Sequence, residues 1–425
     1  MLSYIFRGHE QAGFLVHGCG LGKTSTDRLQ PAKGNIPPPE GPYLCIIPVR
    51  DAWRVIPALT RKEGQQHFSE ALEPAVIEDL RRGRTLLLLD MSNEGPAFFR
   101  EIFDSLHQFA AQAGIPPSRL VWLDQNRAQA GTYRDVTGHG GNDALQFETY
   151  DFFVKATAWM FSPRAPAPVL RNIEERHAAR MFDPAFKDRL LLCLNATPRL
   201  HRVVTIGGLI HHGLFDDSLV SFPGLSYAKD GDVGDGARVM AFLAANPALA
   251  HLAEGCRAAI ALRDLKVDDF AQTGNALFDK IDPRPYQRTF YSLVTETEFT
   301  SGEVDRITEK IVKAFCLGHP TMVVGNPRAL RFMTELGFHD FAPMIDAAYD
   351  QEPSPPRRLN AIFAQALALA ATIRQNPAAW LEQVREPGEA NMRLATSGAL
   401  LDAYVAQHEH PLIARLEQRL AAQAA

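Results

Sequence analysis

A strand–helix–strand pattern in residues 290–327 limits the fold of this chain more than any other feature. Two continuous apolar runs predict the strands, and an amphipathic run between them predicts the helix. In chain order the predicted elements are 291–294, 308–316 and 321–324. Gly318 and Pro320 end the helix, because neither residue continues helical geometry. Strands that alternate with helices in this way predict an α/β fold.

The first part of the chain repeats this alternation. Its predicted strands lie at 43–47, 85–90 and 120–123, and its predicted helices lie at 61–82 and 98–113. Strands that are apolar throughout are typical of a parallel sheet that is buried on both faces. We therefore predict a parallel sheet in this region.

The chain is long for a single hydrophobic core, so two domains are expected. The proline-rich residues 162–169 predict a linker, and a second α/β run begins at the apolar residues 189–194. From Pro356 onward the pattern is mostly helical. The predicted bounds are 1–160 for the first α/β domain, 161–186 for the linker, 187–355 for the second α/β domain and 356–425 for a helical segment.

Composition narrows the classes of partner. The formal net charge of -5 argues against a surface that binds polyanions, so no nucleic-acid partner is predicted, although a local basic patch stays open. The five cysteines show no CxxC spacing, which favours buried free thiols in a reducing compartment. No apolar run approaches the ~20 residues that span a bilayer, and the first residues show no secretory pattern. We expect a cytoplasmic protein and leave open whether it lies against the inner face of a membrane.

A glycine-rich stretch at residues 17–24 approximates a phosphate-binding P-loop. That motif requires glycine where this chain has His17, and a helix must follow Lys23 so that its amides point at phosphates. The prolines at 37–39 leave no room for a long helix. A flexible glycine-rich loop is therefore favoured over an ATPase, in which ATP binding would depend on Lys23. A loop that covers an acceptor site also stays open.

No metal site is predicted. Residues 230–235 contain a DxD pair and approximate a calcium loop, but Ala241 stands where that loop needs its closing glutamate. They also lie among glycines with no apolar run before them, so a solvated turn is favoured. The histidines show no HExxH spacing. Those in or beside helices are interpreted as surface or cap residues: His211, His212, His408 and His410.

A cluster of basic residues lies where a strand gives way to a helix. The strand at 189–194 ends at Asn195, and Arg199, His201 and Arg202 follow at the helix start. Cations are unfavourable there, because the N-terminal end of the helix dipole attracts anions. A basic helix start without a ligand is the alternative, but a bound phosphate explains two arginines better.

The helix that opens at Thr308 has a similar feature. Thr308 as N-cap and Glu309 in the first turn are ordinary capping residues. Lys310 in the same turn is unfavourable unless an anion lies nearby. Glu296 and Glu298 directly follow a predicted strand, and capping does not explain them. By themselves these residues leave a capped helix and a phosphate site equally open.

Two segments together resemble the donor-binding motifs of bacterial α-1,3-fucosyltransferases. In that family a strand ending in glutamate precedes a TEK helix and a G-x-x-P-V-x-x-G-like strand. Here residues 294–310 are followed by Gly318-His-Pro-Thr-Met-Val-Val-Gly325. Residues 192–202, followed by 219–224, resemble the other donor-side segment of the family. The likeness covers roughly a third of the chain and is that of a relative within the wider set of GT-B glycosyltransferases.

This resemblance implies an α/β architecture of two Rossmann-like domains facing across a cleft, the GT-B type, with a helical C-terminal tail. The domain at 187–355 would bind a nucleotide-sugar donor, and the domain at 1–160 would bind a glycan or another hydroxyl acceptor. The nucleotide sugar is a co-substrate, so no cofactor is implied. The predicted donor-binding residues are Asn195, Arg199, Arg202, Glu296, Glu298, Thr308, Glu309 and Lys310.

The resemblance also implies roles for these donor-side residues. Arg202 and Lys310 are assigned to the diphosphate, where charge-assisted hydrogen bonds of about 1.5–3 kcal/mol each could replace a metal ion. Glu309 suits the ribose hydroxyls, which a carboxylate accepts in bidentate fashion. The carboxylate of Glu296 or Glu298 would meet the sugar or the ribose.

The first domain contains a candidate general base. Residues 89–96, Leu-Asp-Met-Ser-Asn-Glu-Gly-Pro, form a strand end with carboxylates, and the fucosyltransferases place their presumed base in a comparable segment. Glu94 would take the proton of the acceptor hydroxyl in an inverting displacement. Asp90 is the competing base, with a structural cap as its alternative. A non-catalytic nucleotide- or sugar-binding protein on the same frame and a P-loop-like ATPase stay open as other functions.

Overall fold

The computed structural model describes residues 2–7, 28–49, 55, 67–165, 174–227, 236–267 and 282–424. The chain divides into two compact units. The first unit contains Met1–Ala156, Glu303–Arg306 and Leu401–Ala425, and the second contains Thr157–Gly302 and Ile307–Leu400. The first unit thus takes in two later segments that lie outside the predicted bounds 1–160. The predicted helical segment 356–425 is divided between the units.

The first unit is built on a six-stranded parallel sheet. Its strands are β1 (Leu2–Phe6), β2 (Leu29–Pro31), β3 (Tyr43–Pro48), β4 (Thr85–Asp90), β5 (Leu120–Asp124) and β6 (Gln146–Thr149), in the order β2-β1-β3-β4-β5-β6. Every residue of β3, β4 and β5 is buried. This burial is expected for strands that are apolar on both faces, and the predicted parallel sheet is confirmed.

Helices follow the strands of this sheet. They are α1 (Pro74–Arg82), α2 (Arg100–Ala113), α3 (Gln129–Thr137) and α4 (Phe152–Phe161). The predicted extent of a helix over 61–82 is wrong, because the described residues before α1 form only a 3-10 turn at Phe68–Ala71. Pro74 sets the start of α1, since proline suits the first helical turn, where its missing N–H is not needed. Val76 and Leu80 of α1 then pack into the same hydrophobic core as Trp122.

The second unit contains a five-stranded sheet. Its strands are β7 (Arg189–Leu194), β8 (Leu219–Gly224), β9 (Arg263–Leu265), β10 (Thr289–Thr295) and β11 (Thr321–Val324), in the order β11-β10-β7-β8-β9. All neighbours pair in parallel except β8 and β9. The chain starts in the central β7, adds β8 on one side and later adds β10 on the other. Such a switch point is where open α/β sheets bind ligands, outside the carboxyl ends of the strands.

The helices of the second unit include both of those predicted beside candidate residues. They are α5 (Glu174–Met181), α6 (Leu200–His211), α7 (Ala237–Ala245), α8 (Ala253–Ala261), α9 (Arg284–Arg288), α10 (Glu309–Cys316), α11 (Ala329–Glu335), α12 (Pro355–Gln375) and α13 (Pro377–Thr396). The chain runs from β7 into α6 and from α10 into β11, as predicted. Parallel strands with helical crossovers in both units are Rossmann-like, which confirms this part of the fold prediction.

The end of the chain is helical, as predicted, and its last part belongs to the first unit. It contains α14 (Ala399–Tyr404), a π-helical turn at Val405–Glu409 and α15 (His410–Ala424). Glu409 of the π turn is fully buried and accepts hydrogen bonds from Lys155 Nζ at 2.5 Å and Tyr150 Oη at 3.0 Å. Among the helices in the described ranges, none has the length and apolarity needed to cross a bilayer.

Candidate functional site

Asn195 joins three strands of the second unit. It follows β7, and its Oδ1 accepts a 2.7 Å hydrogen bond from Thr295 Oγ1 at the end of β10. Its backbone N–H donates to Ser221 Oγ in β8 at 2.9 Å, and its Nδ2 donates to the Ser221 carbonyl oxygen at 3.1 Å. All three residues are buried. Asn195 therefore holds together the strands on both sides of the switch point.

Glu296 lies at the same edge and connects the starts of α6 and α10. Its carbonyl oxygen accepts hydrogen bonds from His201 Nε2 at 2.9 Å and Arg202 Nη2 at 3.0 Å. Its Oε2 accepts a 2.6 Å hydrogen bond from Thr308 Oγ1. The other carboxylate oxygen, Oε1, is buried and makes no hydrogen bond within the described part of the chain. A ligand hydroxyl would supply the donor that this buried oxygen lacks.

The start of α6 holds two arginines whose guanidinium groups are incompletely hydrogen-bonded. Arg199 caps the helix and Arg202 lies buried in its first turn. Arg202 donates to the carbonyl oxygens of Thr197 and Glu296. The Nε atoms of both arginines are buried and have no hydrogen-bond partner among the residues that the structure describes. Unpaired cationic donors at a helix N-terminus form a favourable place for an anion.

The charge of this cluster comes from the arginines alone. Burial, followed by the charge of Arg199, lowers the pKa of Arg202 to about 10, so its guanidinium stays protonated at neutral pH. Burial and the charge of Arg202 lower the pKa of His201 to about 3, so its imidazole is neutral. The ring of His201 stacks on Phe299, with 5.8 Å between the ring centroids. His201 therefore positions Glu296 and contributes no charge.

Thr308, Glu309 and Lys310 form a compact group at the start of α10. Thr308 is the N-cap, and its Oγ1 faces the Lys310 backbone N–H at 3.5 Å. Lys310 Nζ donates to Thr308 Oγ1 and to Glu309 Oε1, both at 3.1 Å, and its side chain is partly exposed. Burial alone would raise the pKa of Glu309, but the charges of Lys310 and Lys313 outweigh it and lower that pKa to about 2. Glu309 is therefore ionised and paired with Lys310.

Glu298 lies in the loop after β10, and a buried arginine of α12 holds that loop. Arg358 donates to the carbonyl oxygens of Thr300 at 2.6 Å and Gly325 at 3.1 Å. Its guanidinium carbon lies 4.4 Å from the ring centroid of Phe299. Nothing in the local sequence distinguishes Arg358 from other basic residues of the helical segment, so the sequence does not predict this role.

In the first unit, Asp90 is the last residue of β4 and is fully buried. Its Oδ1 accepts hydrogen bonds from the Ser92 backbone N–H at 3.1 Å and from Ser92 Oγ at 2.6 Å. These are the contacts of a carboxylate that caps the turn after a strand, which is the structural alternative foreseen for Asp90.

Glu94 lies four residues further along, and its side chain is 48% exposed. Its Oε2 accepts from Arg306 Nη1 at 3.3 Å and Nη2 at 3.4 Å. Arg306 is itself buried and donates to Gln125 Oε1 at 3.2 Å. It belongs to the segment Glu303–Arg306 that the first unit takes in from the later chain. An exposed carboxylate held by a buried guanidinium has a fixed position and access to solvent.

A second carboxyl group lies at the next strand end, where the sequence did not place a candidate. Asp124 ends β5, is buried, and accepts from Trp122 Nε1 at 2.9 Å and the Asn126 backbone N–H at 3.0 Å. Burial raises its pKa to about 7, against the hydrogen bonds that lower it. Burial also raises the pKa of Asp151, which pairs with Arg127 at 2.5 Å. The missed signal was a carboxylate directly after the apolar residues 120–123.

Two motifs weighed in the sequence lie outside the described residues. They are the glycine-rich stretch 17–24 and the aspartate-rich stretch 230–235. The predicted donor-binding residues, by contrast, lie together in the second unit, through direct contacts among Asn195, Glu296, Thr308 and their neighbours. Glu298 follows them on the adjoining loop.

Comparisons with known proteins add little to this geometry. No protein-family model matches the chain, and no curated protein matches it. Neither search therefore supports the fucosyltransferase resemblance. Among solved structures the chain is similar to a UDP-forming α,α-trehalose-phosphate synthase from Burkholderia xenovorans, with 13% identity over 95% of this chain and 78% of that chain, and a TM-score of 0.37. Because that TM-score is low, the likeness assigns neither a fold family nor an activity.

Proposed function

We propose that this protein is a glycosyltransferase that moves a sugar from a nucleoside-diphosphate donor to a hydroxyl acceptor. One observation carries the proposal: donors and an acceptor whose hydrogen bonds are unsatisfied lie together at the switch point of the second unit. Among the residues that the structure describes, the buried Nε atoms of Arg199 and Arg202 have no acceptor, and the buried Oε1 atom of Glu296 has no donor. A nucleotide sugar contains both complements, an anionic diphosphate and sugar hydroxyls.

The diphosphate would bind to the starts of α6 and α10. Arg199, Arg202 and Lys310 would each donate to it, at about 1.5–3 kcal/mol per charge-assisted hydrogen bond. The same groups would stabilise the negative charge that grows on the leaving nucleoside diphosphate. Side chains would then supply the charge that a metal ion supplies elsewhere, so we propose metal-independent transfer.

The carboxylates would have different tasks. Glu296 Oε1 would accept a hydroxyl of the ribose or the sugar, and Glu298 would meet the ligand from the adjoining loop. Glu309 would hold Lys310 through their 3.1 Å contact and would accept from the ribose with its remaining oxygen. Asn195 and Thr308 would fix the positions of the strands and of Glu296.

The proton of the acceptor hydroxyl would go to Glu94 in an inverting displacement. Its exposed side chain can reach a substrate, whereas Asp90 has the contacts of a cap. Asp124 is the competing base, because a carboxyl group whose pKa is about 7 exchanges protons readily at neutral pH.

A ligand screen tests the donor site. The full chain would be heated with UDP, GDP, CDP, CMP and dTDP sugars, with and without EDTA, and the unfolding temperature recorded. We expect one nucleotide class to raise that temperature, because a ligand that binds only the folded state stabilises it. Retention of this shift in EDTA would support the metal-free scheme.

Calorimetric titration of variants with the responding nucleotide then tests the assignment. Lys310→Gln should weaken binding by about 10- to 150-fold, which is the loss of one charge-assisted hydrogen bond. Lys266→Gln, at an exposed lysine elsewhere in the second unit, should bind like the wild type. Equal affinity of Lys310→Gln and the wild type would overturn the proposed site. Tight binding with neither sugar transfer nor donor hydrolysis would favour the non-catalytic binding protein instead.

A further inference from the structure

Three histidines of the second unit cluster at the end of α6 that lies away from the candidate donor site. His211 is the last residue of α6, His212 is its C-cap, and His251 lies in a 3-10 helix at Pro247–Leu252. One potential ligand atom from each histidine lies within 4.8 Å of the others. The ring centroids are 4.8 Å apart for His211 and His212, and 5.3 Å apart for His211 and His251.

Close packing of α6 on α8 fixes the backbones that carry these side chains. A Cβ atom on Gly255 would lie 2.1 Å from the carbonyl oxygen of Gly207, and one on Gly207 would lie 2.8 Å from the backbone of Cys256. Only glycine permits this approach, because any other residue would collide with backbone atoms. The 3-10 helix runs directly into α8, so this contact also sets the position of His251 against the end of α6.

The three imidazoles suit metal coordination. His211 and His251 are exposed, so water and ions reach them, while His212 is partly buried. Nε2 of His212 is buried and makes no hydrogen bond within the described ranges, and its ring packs 5.4 Å from that of Phe363. Neutral imidazole is the form that binds a metal, and carbonyl groups at a helix C-terminus favour a cation nearby.

We propose that His211, His212 and His251 bind one divalent transition-metal ion of the zinc class, with water in the remaining position. A tetrahedral site with metal–nitrogen bonds of about 2.0–2.1 Å places its ligand atoms about 3.3 Å apart. In the structure these atoms lie within 4.8 Å of one another, and rotation of the exposed side chains of His211 and His251 would bring them to the shorter distance. The site holds imidazole ligands only, which suit zinc, cobalt, nickel and copper better than magnesium or calcium.

This site is separate from the proposed donor site. The 12 residues of α6 rise about 1.5 Å each, so its two ends lie about 17 Å apart. Loss of the metal should therefore leave nucleotide binding unchanged. The inference stands even if the proposed transferase activity fails.

Cobalt absorption and zinc calorimetry test the proposal on the full chain. The protein would be purified without a polyhistidine tag, stripped with EDTA and dialysed. We expect one Co²⁺ per chain with visible absorption bands of a four-coordinate ion, and displacement of that ion by Zn²⁺. His251→Gln and, separately, His211→Gln should weaken Zn²⁺ binding by at least about 10-fold, since even the loss of a residue that only hydrogen-bonds a metal ligand costs that much.

His339→Gln provides the matched control, because His339 is an exposed histidine of the same unit outside the cluster. It should bind Zn²⁺ like the wild type. Both test positions are exposed, so unchanged unfolding temperatures of the stripped variants should show that they fold. The proposal is overturned if the wild type binds no Zn²⁺, or if His251→Gln and His211→Gln bind it as tightly as His339→Gln does.

Discussion

The two sheets place different groups at the carboxyl ends of their parallel strands. In the second unit, Arg199 and Arg202 lie at the start of α6, and Glu296 follows β10. Within the described part of the chain, the buried Nε atoms of both arginines and the buried Oε1 atom of Glu296 have no hydrogen-bond partner. In the first unit, the ends of β4 and β5 are carboxyl groups, and Asp90 and Asp124 accept hydrogen bonds from the turns that follow them. The common architecture supplies the positions, and the side chains decide the chemistry.

Under the proposed function, this difference would reflect a division of labour between the units. Unpaired donors and acceptors at the second edge fit a ligand that carries both phosphate and hydroxyl groups. Carboxyl groups at the strand ends of the first unit fit proton transfer. Glu94 is exposed and held by Arg306, and the pKa of Asp124 is raised. Four predictions test whether the edges differ in this way, from the largest expected effect to the smallest.

The largest effect concerns Glu94. Glu94→Gln should lower the rate of sugar transfer by about 10²- to 10⁴-fold, because a general base contributes about that much. Nucleotide affinity, measured by calorimetry, should stay at the wild-type value. Glu78→Gln, on the exposed face of α1, is the control and should retain full turnover. Normal turnover of Glu94→Gln together with an inactive Asp124→Asn would show that Asp124 is the general base instead of Glu94.

The second prediction concerns stability against pH. The folded pKa of Asp124, about 7, lies above its unfolded value of about 3.8, so the folded state binds more protons between these values. Asp124 should therefore lower the free energy of unfolding as pH rises from about 4 to 7, by roughly 2–4 kcal/mol at about 1.4 kcal/mol per pKa unit. Urea titrations should show that Asp124→Asn removes this decline. An unchanged pH slope in the variant would show that Asp124 ionises normally.

The third prediction concerns Gly95, which lies beneath Arg306. A Cβ atom at Gly95 would lie 2.7 Å from Arg306 Cδ and 2.8 Å from the backbone nitrogen of Asn126. Gly95→Ala should lower the free energy of unfolding by about 1–3 kcal/mol, because the backbone must shift. Gly131→Ala is the control, since Gly131 lies in α3 with open space around its Cβ position and should gain up to about 1 kcal/mol. Equal stability of the two variants would contradict the close approach of Arg306.

The smallest effect concerns Glu296. In Glu296→Gln the amide oxygen can still accept from Thr308, but the amide nitrogen then replaces the unpaired Oε1. A donor in place of an acceptor should weaken nucleotide-sugar binding by about 10-fold, the loss of roughly one hydrogen bond. Binding of the nucleoside diphosphate alone reports whether the ribose or the sugar meets Glu296. Unchanged affinity for both ligands would remove Glu296 from the site.

The sequence predicts the parts of the fold that depend on local pattern. The strand at Thr321–Val324 and the helix after Thr308 lie where their periodicity places them. The predicted helix over 61–82 is too long. Apolar spacing alone does not show that the chain leaves helical geometry at Glu73, so that the helix begins at Pro74. Asp124 could have been found by the rule that selected Asp90, a carboxylate directly after an apolar strand.

Three residues have roles that no pattern in the neighbouring sequence predicts: Arg306, Arg358 and His251. Arg306 belongs to the short segment Glu303–Arg306 of the first unit, although the chain on both sides of that segment belongs to the second. Arg358 and His251 come next to their partners only through helix packing, His251 across 39 residues from His212. Sequence patterns report the periodicity of single elements, whereas these contacts depend on how elements pack.

The sequence by itself determined two α/β sheets with polar groups at their strand ends, because apolar periodicity and capping residues act over a few neighbouring positions. The tertiary structure decided which of these groups keep free hydrogen-bonding atoms and which are paired. It also decided the protonation states of His201 and Asp124, whose pKa values depend on burial. Burial and pairing arise only when distant segments pack together, so no local pattern encodes them.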